Sequence, residues 1–455
     1  MSAASILEAA ATASLPPLPP AKEIPSSFTA SFRSWWNVGE KEAQLAEERL
    51  LRRLPYFRPS ASPPSTPSAG PVTATSRRVP LLTPKHYLNT LSITSTSPSP
   101  TAPAPAVLLH GYGAGLGFFF QNLPPLAAWA ARRHTSVYAL DWLGMGRSAR
   151  VPFTVKARRA DTDARVAEAE AFFIDALEQW RVRMGLERMQ LVGHSLGGYL
   201  SVAYALKYPS RVERLVLLSP AGVPRDPDST EEPSRELTES QTADQELPDA
   251  GSGAPSGSGL AARFGAKRAA GTAEPASPPR VEKIKAEQRA EKQKETKMRK
   301  VFTYLWEEGF SPFQLVRSSL FWGPLLVGKY SSRRFSGLTE EETRDMHEYI
   351  LNITLAKGSG EYCISHILAP GAHARRPLVD RVAALKIPVT FVYGDHDWMD
   401  PEGGSQSVAN LKKAGNTEGR MYVVPYAGHH VYLDNAKAVN ELLVKELDRP
   451  VVRAP

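Results

Sequence analysis

The feature that most constrains the fold is a series of short apolar runs, each ended by turn residues. Four end by residue 220 and read AVLLHG, SVYALDW, MQLVGHS and RLVLLSP; VTFVYGD and GRMYVVPYAGHH follow residue 385. Such runs are typical of strands buried on both faces. Segments with helical spacing, such as AEAEAFFIDALEQWRVRMG, lie between them. Strands that alternate with helices predict an α/β fold with a mostly parallel central sheet and helices on both faces.

The third run leads directly into the sequence G-H-S-L-G, residues 193–197, and then into a helix that carries small residues at its start. In such a strand–turn–helix, the serine adopts a strained backbone conformation that projects its hydroxyl above the sheet edge. Glycines two positions on either side let the strand and the helix pass closely. The helix N-terminus favours developing negative charge. We therefore predict that Ser195 is a nucleophile rather than a structural serine in a tight turn.

A glycine-rich turn, HGYGAGLG, follows the first run. Its glycines occur at every second position, which does not match the G-x-G-x-x-G spacing of a dinucleotide-binding loop. In hydrolases with a serine turn of this kind, one amide of this loop and the amide after the nucleophile form an oxyanion hole. The predicted donors are the backbone amides of Tyr112 and Leu196, with Gly113 as an alternative to Tyr112. His110 is expected to be a packing residue rather than a base.

A serine nucleophile needs a histidine within hydrogen-bonding reach and a carboxylate that orients this histidine. The expected chain order is serine, acid, histidine. In YAGHHVYLDN, His429 directly follows the turn glycine and is the predicted base, whereas His430 should point elsewhere. In FVYGDHDWMD, Asp397 is the favoured acid because it lies three residues past the glycine at the strand end. Asp395 and Asp400 remain alternatives.

Asp434 completes an H-x-x-x-x-D pattern that starts at His429. The favoured interpretation is an N-terminal cap on the helix NAKAVNELLVKEL, where a carboxylate stabilises the first turn. The alternative is a partner in acyl transfer. In ALDWLGMGRS, Asp141 and Arg147 are expected to stabilise a turn.

No metal or cofactor is predicted, because four further histidines lack the spacing of metal ligands. These histidines are His347, His366, His373 and His396. The single cysteine, Cys363, excludes an internal disulfide framework.

Composition divides the 455 residues into six regions. The stretch 225–300 is rich in Ser, Gly, Pro, Glu and Lys and poor in aromatic residues, as is typical of disordered segments. The predicted regions are a disordered N-terminal tail (1–33), an amphipathic helix with a Pro/Ser-rich linker (34–75), the first part of the α/β core (76–224), a disordered charged insertion (225–300), a helical cap or lid (301–385) and the second part of the core (386–455).

The net charge of +8 does not indicate a nucleic-acid-binding protein. Residues 226–249 carry nine acids and one arginine, and residues 280–300 carry nine Lys or Arg and four Glu. Opposed blocks of charge favour a solvated segment, and no nucleic-acid-binding module is present. The alternative for the basic block is transient attraction to anionic lipid headgroups.

The sequence contains no run of 18 apolar residues, so no membrane-spanning helix is expected. The N-terminal stretch, which includes acids at Glu8 and Glu23, is a poor transit peptide by composition. Two segments, FTASFRSWW and SPFQLVRSSLFWGPLL, combine aromatic residues with arginine, as membrane-surface segments do. Packing within the protein is the alternative for these residues.

Seven segments together resemble the α/β-hydrolase superfamily, and one branch of it closely. They are SWWNVGEKEAQLAEERLL, VLLHGYGAGLGFF, DWLGMGRS, VGHSLGGYLSVAYALKYPSRVERLVLLSPAGVP, GSGEYCISHILAPGAHARRPLVDRV, YGDHDWMD and GHHVYLDN. The branch comprises the fungal cardiolipin-specific deacylases and the related animal lysophospholipase and lipid-droplet coactivator proteins. The resemblance covers most of residues 34–225 and 301–445. It implies phospholipid acyl esters as substrates and a mitochondrial location, peripheral on the inner membrane.

The sequence therefore predicts a serine hydrolase that deacylates membrane phospholipids through an acyl-enzyme, with cardiolipin as a candidate substrate and no cofactor. Its expected partners are the phospholipid and the membrane surface. Two alternatives remain. By resemblance, the H-x-x-x-x-D pattern is shared with acyltransferases, so the same residues could pass the acyl chain to a lysophospholipid. Some relatives have lost the nucleophile and act only as partners of lipases, although Ser195 is present here.

Overall fold

The computed structural model describes residues 17–59, 70–225, 274–275, 282, 297–370 and 372–451. These residues contain a ten-stranded sheet with the strand order β1-β2-β3-β5-β4-β6-β7-β9-β10-β8. The strands are β1 (Phe57–Arg58), β2 (Val72–Pro80), β3 (Tyr87–Ser95), β4 (Ala106–Leu109), β5 (Ser136–Leu140), β6 (Met189–His194), β7 (Val212–Leu218), β8 (Glu274–Pro275), β9 (Val389–Gly394) and β10 (Gly419–Val424).

The six apolar runs of the sequence form the six neighbouring strands β5, β4, β6, β7, β9 and β10, which are all parallel. The mostly parallel α/β fold is thus confirmed. Strands β2 and β3 are antiparallel to each other, and β3 is also antiparallel to β5. The search for apolar runs missed these two strands, because β2 reads VTATSRRVP and is only partly buried.

Helices cover both faces of the sheet. They are α1 (Phe28–Trp36), α2 (Glu40–Leu51), α3 (Leu123–Arg133), α4 (Thr162–Arg183), α5 (Leu196–Lys207), α6 (Lys297–Glu307), α7 (Pro312–Ser318), α8 (Gly323–Arg334), α9 (Glu340–Leu355), α10 (Ile364–Ile367), α11 (Pro401–Lys413), α12 (Val431–Asp434) and α13 (Ala436–Asp448). None of the described helices is long and apolar enough to cross a membrane.

Alternate residues of the central strands face two separate hydrophobic clusters, as expected for strands buried on both faces. On one face, Leu109, Leu191 and Leu217 join Phe173 and Trp180 of α4. On the other face, their neighbours Leu108, Val192 and Val216 join Trp129 of α3 and Leu443 of α13. The carboxyl ends of the six parallel strands consequently meet along one edge of the sheet, and the loops after them lie side by side.

The segment predicted as one N-terminal helix forms two helices. Helix α1 ends at Trp36, and α2 begins at Glu40, directly after the extended residue Gly39. Helix α1 already begins at Phe28, with Ser27 as its N-cap, so the predicted disordered tail 1–33 is wrong for its last residues. Buried contacts explain this order, because Ser31 is fully buried and its hydroxyl donates to Phe321 O at 2.6 Å. Residues 1–16 and nearly all of the predicted insertion 225–300 lie outside the described residues.

The region predicted as a lid, 301–385, supplies helices α7, α8 and α9 between β7 and β9 in the chain. Helix α2 packs against α9, and α1 packs against α8 and the short turn Leu320–Trp322. A buried ion pair between Arg49 and Glu348, 2.7 Å apart, joins α2 to α9. The N-terminal helices and the lid region therefore form one continuous surface over the sheet edge.

Candidate active site

Ser195 lies in the sharp turn between β6 and α5, with φ 51° and ψ −119°. This conformation is strained for a residue with a side chain, and surrounding hydrogen bonds hold it. The Ser195 amide donates to Leu218 O at 3.0 Å, and its carbonyl accepts from Ala221 N at 3.1 Å. A Cβ atom added to Gly197 would lie 2.3 Å from Leu109 O, so only glycine lets α5 pass this close to β4. The turn has the geometry that the sequence predicted for a nucleophile.

The predicted acid and base are brought together by the loops after two neighbouring strands. Asp397 follows β9, His429 follows β10, and His429 Nδ1 lies 3.2 Å from Asp397 Oδ1. The same carboxylate oxygen accepts from Met399 N at 3.0 Å, which orients it. Both side chains are almost completely buried. A buried carboxylate at this distance holds the imidazole in one tautomer and orientation.

The two alternative acids have other roles. Asp395 Oδ1 accepts from Ala427 N at 3.1 Å and lies 2.8 Å from His396 Nδ1. Asp400 is the N-cap of α11, and its side chain accepts from Glu402 N at 2.9 Å. The geometry thus favours Asp397 among the three candidates.

His194 connects the serine turn to the loop of His429. Its Nε2 lies 3.1 Å from His429 O, and its ring centroid is 4.8 Å from that of His429. On the other side, the Trp398 ring centroid is 4.7 Å from the His429 ring. Burial and the neighbouring His429 lower the pKa of His194 far below its ordinary value, so a neutral His194 donates its Nε2 hydrogen. Because His194 directly precedes Ser195, this bond links the serine turn to the backbone of His429.

The sequence reasoning did not single out His194 or Trp398. The sequence nevertheless pointed to both residues, since His194 lies between Gly193 and Ser195 in the serine turn and Trp398 directly follows the favoured acid.

The predicted oxyanion donors lie next to Ser195. Leu196 is the first residue of α5, and the loop after β4 touches the turn, since a Cβ added to Gly111 would lie 3.0 Å from Ser195 Cβ. Phe313 of the lid region covers this loop, and its ring centroid is 5.1 Å from that of Tyr112. Gly113, the alternative donor, has φ 66°, and a Cβ added to it would lie 1.9 Å from Phe313 Cζ. The oxyanion role of these amides stays a prediction.

His110 and Asp141 have the structural environments that the sequence predicted. His110 is fully buried, its Nδ1 donates to Gly111 O at 2.8 Å, and its Nε2 accepts from Trp142 N at 3.0 Å. Asp141 accepts from Leu116 N at 2.7 Å and from Arg147 N at 2.8 Å. His110 therefore packs rather than acting as a base, and Asp141 holds both its own turn, at Arg147, and the loop just after Tyr112 and Gly113, at Leu116.

The prediction that Asp434 caps the last helix is wrong. The N-cap of α13 is Asn435, whose side chain accepts from Ala438 N at 3.2 Å. Asp434 is instead the last residue of the one-turn helix α12. The first backbone amides of α13, which need a capping acceptor, therefore follow Asn435 and not Asp434. Asp434 Oδ2 accepts from Gly428 N at 2.9 Å, and its Oδ1 pairs with Arg334 Nη1 at 2.8 Å.

Within the described part of the chain, no group of three His, Cys, Asp or Glu side chains could hold a metal ion. His347 is buried, its Nδ1 lies 3.1 Å from Ser331 Oγ, and burial lowers its pKa to about 4. Burial also lowers the pKa of His366 to about 4.

Residues 105–436 match the family model described as "alpha/beta hydrolase fold". The chain is 33% identical over 325 residues to a 1-acylglycerol-3-phosphate O-acyltransferase of Arabidopsis thaliana, with 70% of this chain and 60% of that protein covered. It is 30% identical over 316 residues to the 1-acylglycerol-3-phosphate O-acyltransferase ABHD5 of Sus scrofa, with 68% and 69% covered. The aligned region thus spans about three fifths of the plant relative.

Among solved structures, the carboxylesterase CesB of Bacillus subtilis is similar with a TM-score of 0.46 and 15% identity, covering 90% of this chain and 98% of that one. The match to the family model extends over most of the chain, from the strand before the oxyanion loop to the start of α13. It therefore includes the serine turn, the loop of Asp397 and the loop of His429. The chain belongs to the α/β hydrolase family.

Proposed function

We propose that the protein is a serine-dependent enzyme that cleaves acyl esters of phospholipids through an acyl-enzyme. The observation that carries this proposal is the strained turn of Ser195, joined by His194 to a loop whose His429 is oriented by the buried carboxylate of Asp397. A strained serine whose turn is bonded to the loop of an oriented imidazole is the arrangement expected of a nucleophile and its base.

The chemistry then proceeds in two steps. In the first step, Ser195 Oγ attacks the ester carbonyl, His429 takes the hydroxyl proton, and the amides of Leu196 and Tyr112 stabilise the oxyanion. The imidazolium returns the proton to the leaving alcohol, which departs as the lysophospholipid. In the second step, His429 deprotonates a water molecule that attacks the acyl-enzyme, and the fatty acid is released as Ser195 is reprotonated.

Two findings support a phospholipid as the substrate. The curated relatives are named for an acylated glycerol phosphate, which has the acyl ester and phosphate of a phospholipid. The protein also exposes an apolar surface, defined here as Phe28, Phe32, Trp36, Leu320 and Trp322. Its rings form one cluster, with Phe28 and Trp322 centroids 4.9 Å apart.

Exposed apolar clusters of this kind are typical of proteins that bind at a membrane surface. In this proposal the protein is peripheral on a membrane, with cardiolipin as the candidate substrate and the mitochondrial inner membrane as the candidate site.

The test is turnover of tetra-acyl cardiolipin, phosphatidylcholine and a soluble short-chain ester by the wild type and by Ser195→Ala. The matched control is Ser201→Ala, because Ser201 is a buried serine of α5, the helix that follows Ser195, and its hydroxyl donates to Gly197 O. We expect Ser195→Ala to lose the ester cleavage and Ser201→Ala to retain it. Equal turnover by wild type and Ser195→Ala would exclude the proposal and favour a non-catalytic partner of a lipase.

A second candidate is transfer of the acyl chain to a lysophospholipid, and the names of the relatives favour it. The first step is the same. The free hydroxyl of 1-acylglycerol-3-phosphate then replaces water, gives its proton to His429 and forms the new ester as the Ser195 bond breaks.

Incubation with a labelled acyl donor and 1-acylglycerol-3-phosphate separates the two reactions. Labelled diacylglycerol phosphate indicates transfer, whereas labelled fatty acid alone indicates hydrolysis.

A further inference from the structure

The loop that carries His429, residues 425–429, is held by side chains from outside it. Pro425 O accepts from Asn435 Nδ2 at 2.9 Å, and Ala427 N donates to Asp395 Oδ1 at 3.1 Å. Gly428 N donates to Asp434 Oδ2 at 2.9 Å, and His429 O lies 3.1 Å from His194 Nε2. We call this segment the histidine loop. Its backbone is fixed at four points, so the orientation of His429 depends on these contacts.

The contact from Asp434 involves the backbone amide of Gly428, the residue directly before His429. Helix α12 consists of a single turn, in which Asp434 N donates to His430 O at 3.0 Å, and this turn brings the fifth residue after His429 back toward Gly428. The Asp434 carboxylate therefore contacts Gly428. Movement of Gly428, the residue before His429, would rotate the imidazole away from its contact with Asp397.

Arg334, the last residue of α8, holds this carboxylate from the lid region. Its Nη1 lies 2.8 Å from Asp434 Oδ1, and its Nε lies 3.4 Å from His430 Nδ1. Both partners of the ion pair are largely buried, with side chains 21% and 18% exposed. Solvent screens such a pair less than a surface pair, and charge-assisted hydrogen bonds are stronger than neutral ones. The lid region and the histidine loop are thus linked through one carboxylate.

We infer that Arg334 and Asp434 are positioning residues that hold His429 in its productive orientation. This inference rests on the proposed function. Asp434 acts through the Gly428 amide and contacts neither Ser195 nor the His429 ring in the described hydrogen bonds. In this reading, the H-x-x-x-x-D pattern serves hydrolysis and acyl transfer equally, and Asp434 takes no part in proton transfer.

The kinetic test uses a soluble short-chain ester, so that membrane binding does not enter the measurement. We expect Asp434→Ala and Arg334→Ala to lower kcat by about 10- to 100-fold with KM within about twofold, because small displacements of catalytic groups cost this much. Asp434→Asn keeps an acceptor for Gly428 N and should lose less activity than Asp434→Ala. Arg334→Lys keeps the charge and should recover part of the activity of Arg334→Ala.

The matched control is Arg344→Ala. Arg344 is also an arginine of the lid region, 28% exposed, and it pairs with Glu340 at 2.9 Å and Glu23 at 3.1 Å. Its removal should leave kcat within about twofold of the wild type if only the pair with Asp434 matters. A similar loss of kcat in Arg344→Ala would show a general effect of the lid region and would overturn the inference.

The ratio of acyl transfer to hydrolysis separates positioning from direct chemistry. If Asp434 only positions His429, Asp434→Ala lowers both reactions by the same factor. Loss of transfer with hydrolysis retained would show that Asp434 takes part in transfer and would overturn the inference.

Hydrogen exchange of residues 425–430 provides a readout that does not need turnover. We expect faster exchange in Asp434→Ala and Arg334→Ala, and wild-type exchange in Ser195→Ala and Arg344→Ala. Unchanged exchange in Asp434→Ala would overturn the inference even if turnover falls. If the wild type shows no turnover that depends on Ser195, the proposed function fails, and the exchange data still decide whether the pair holds the loop.

Discussion

Gly197→Ala is a sharp test of the nucleophile turn, because the structure predicts both a stability loss and an activity loss. The added methyl group would lie 2.3 Å from Leu109 O and 2.5 Å from His110 O. Real Cβ atoms do not approach other atoms within 3.0 Å. To lengthen the contact with Leu109 O from 2.3 Å to 3.0 Å, β4 and α5 must separate by about 0.7 Å. Both contacts are with backbone, which cannot rotate away as a side chain can.

Overpacking of this kind costs about 1–3 kcal/mol, and we expect the upper end of this range because two well-packed elements must move. The movement displaces Ser195 from His429 and Leu196 from the oxyanion loop. A displacement near 1 Å costs about 100-fold in rate, so kcat/KM for a soluble ester should fall by about this factor.

The assays are urea unfolding followed by circular dichroism, and ester hydrolysis under the same conditions. The matched control is Gly198→Ala, one residue further along α5, where the added Cβ would lie 3.0 Å from Pro220 Cβ and 3.1 Å from Gly193 O. Shifts of a few tenths of an ångström relieve these contacts, and the helix propensity of alanine offsets up to about 1 kcal/mol. Wild-type stability and activity in Gly197→Ala would refute the claim that the turn requires this close approach.

Three further predictions concern stability. Burial lowers the pKa of His347 to about 4 from 6.5, so the unfolded state binds a proton on this residue more tightly than the folded state does. The free energy of unfolding therefore falls as the pH drops from 6.5 to 4. At pH 4.5 the loss is about 2 kcal/mol relative to pH 7, and urea titrations of His347→Gln should not show this loss. Arg147→Met leaves the buried Glu47 without a guanidinium 2.6 Å away and should cost about 3–5 kcal/mol in urea unfolding, partly restored in Glu47→Gln/Arg147→Met. Thr339→Ala removes the side-chain cap of α9 and should lower stability by about 1 kcal/mol, while Thr339→Ser should not, and equal stability of both variants would contradict the capping role.

The same residues show what local sequence patterns can and cannot predict. Ser195 could be located because one short turn contains its whole geometric requirement, a strand, two glycines and a helix. Asp434 was misread because the pattern placed it at a helix start. The structure inserts a separate helical turn, α12, before Asn435, and the boundary between the two helices depends on the backbone path.

The sequence patterns did not predict strands β2 and β3, for a related reason. Their pairing joins residues such as Val72 and Ser95, far apart in the chain, and polar residues alternate along β2. Pairing of this kind is specified by contacts across the sheet, which a window along the sequence does not contain.

The amino-acid sequence by itself determined the parallel core, because unbroken apolar runs can be buried only between two layers of helices. It also determined the identity of the serine turn and the chain order of the candidate acid and base. Only the tertiary structure decided that Asp397, rather than Asp395 or Asp400, faces His429, that His194 links the two loops, and that Arg334 of the lid region binds Asp434. The physical reason is that these bonds join residues brought together by packing of the sheet and the lid region, over separations of up to 235 positions in the chain.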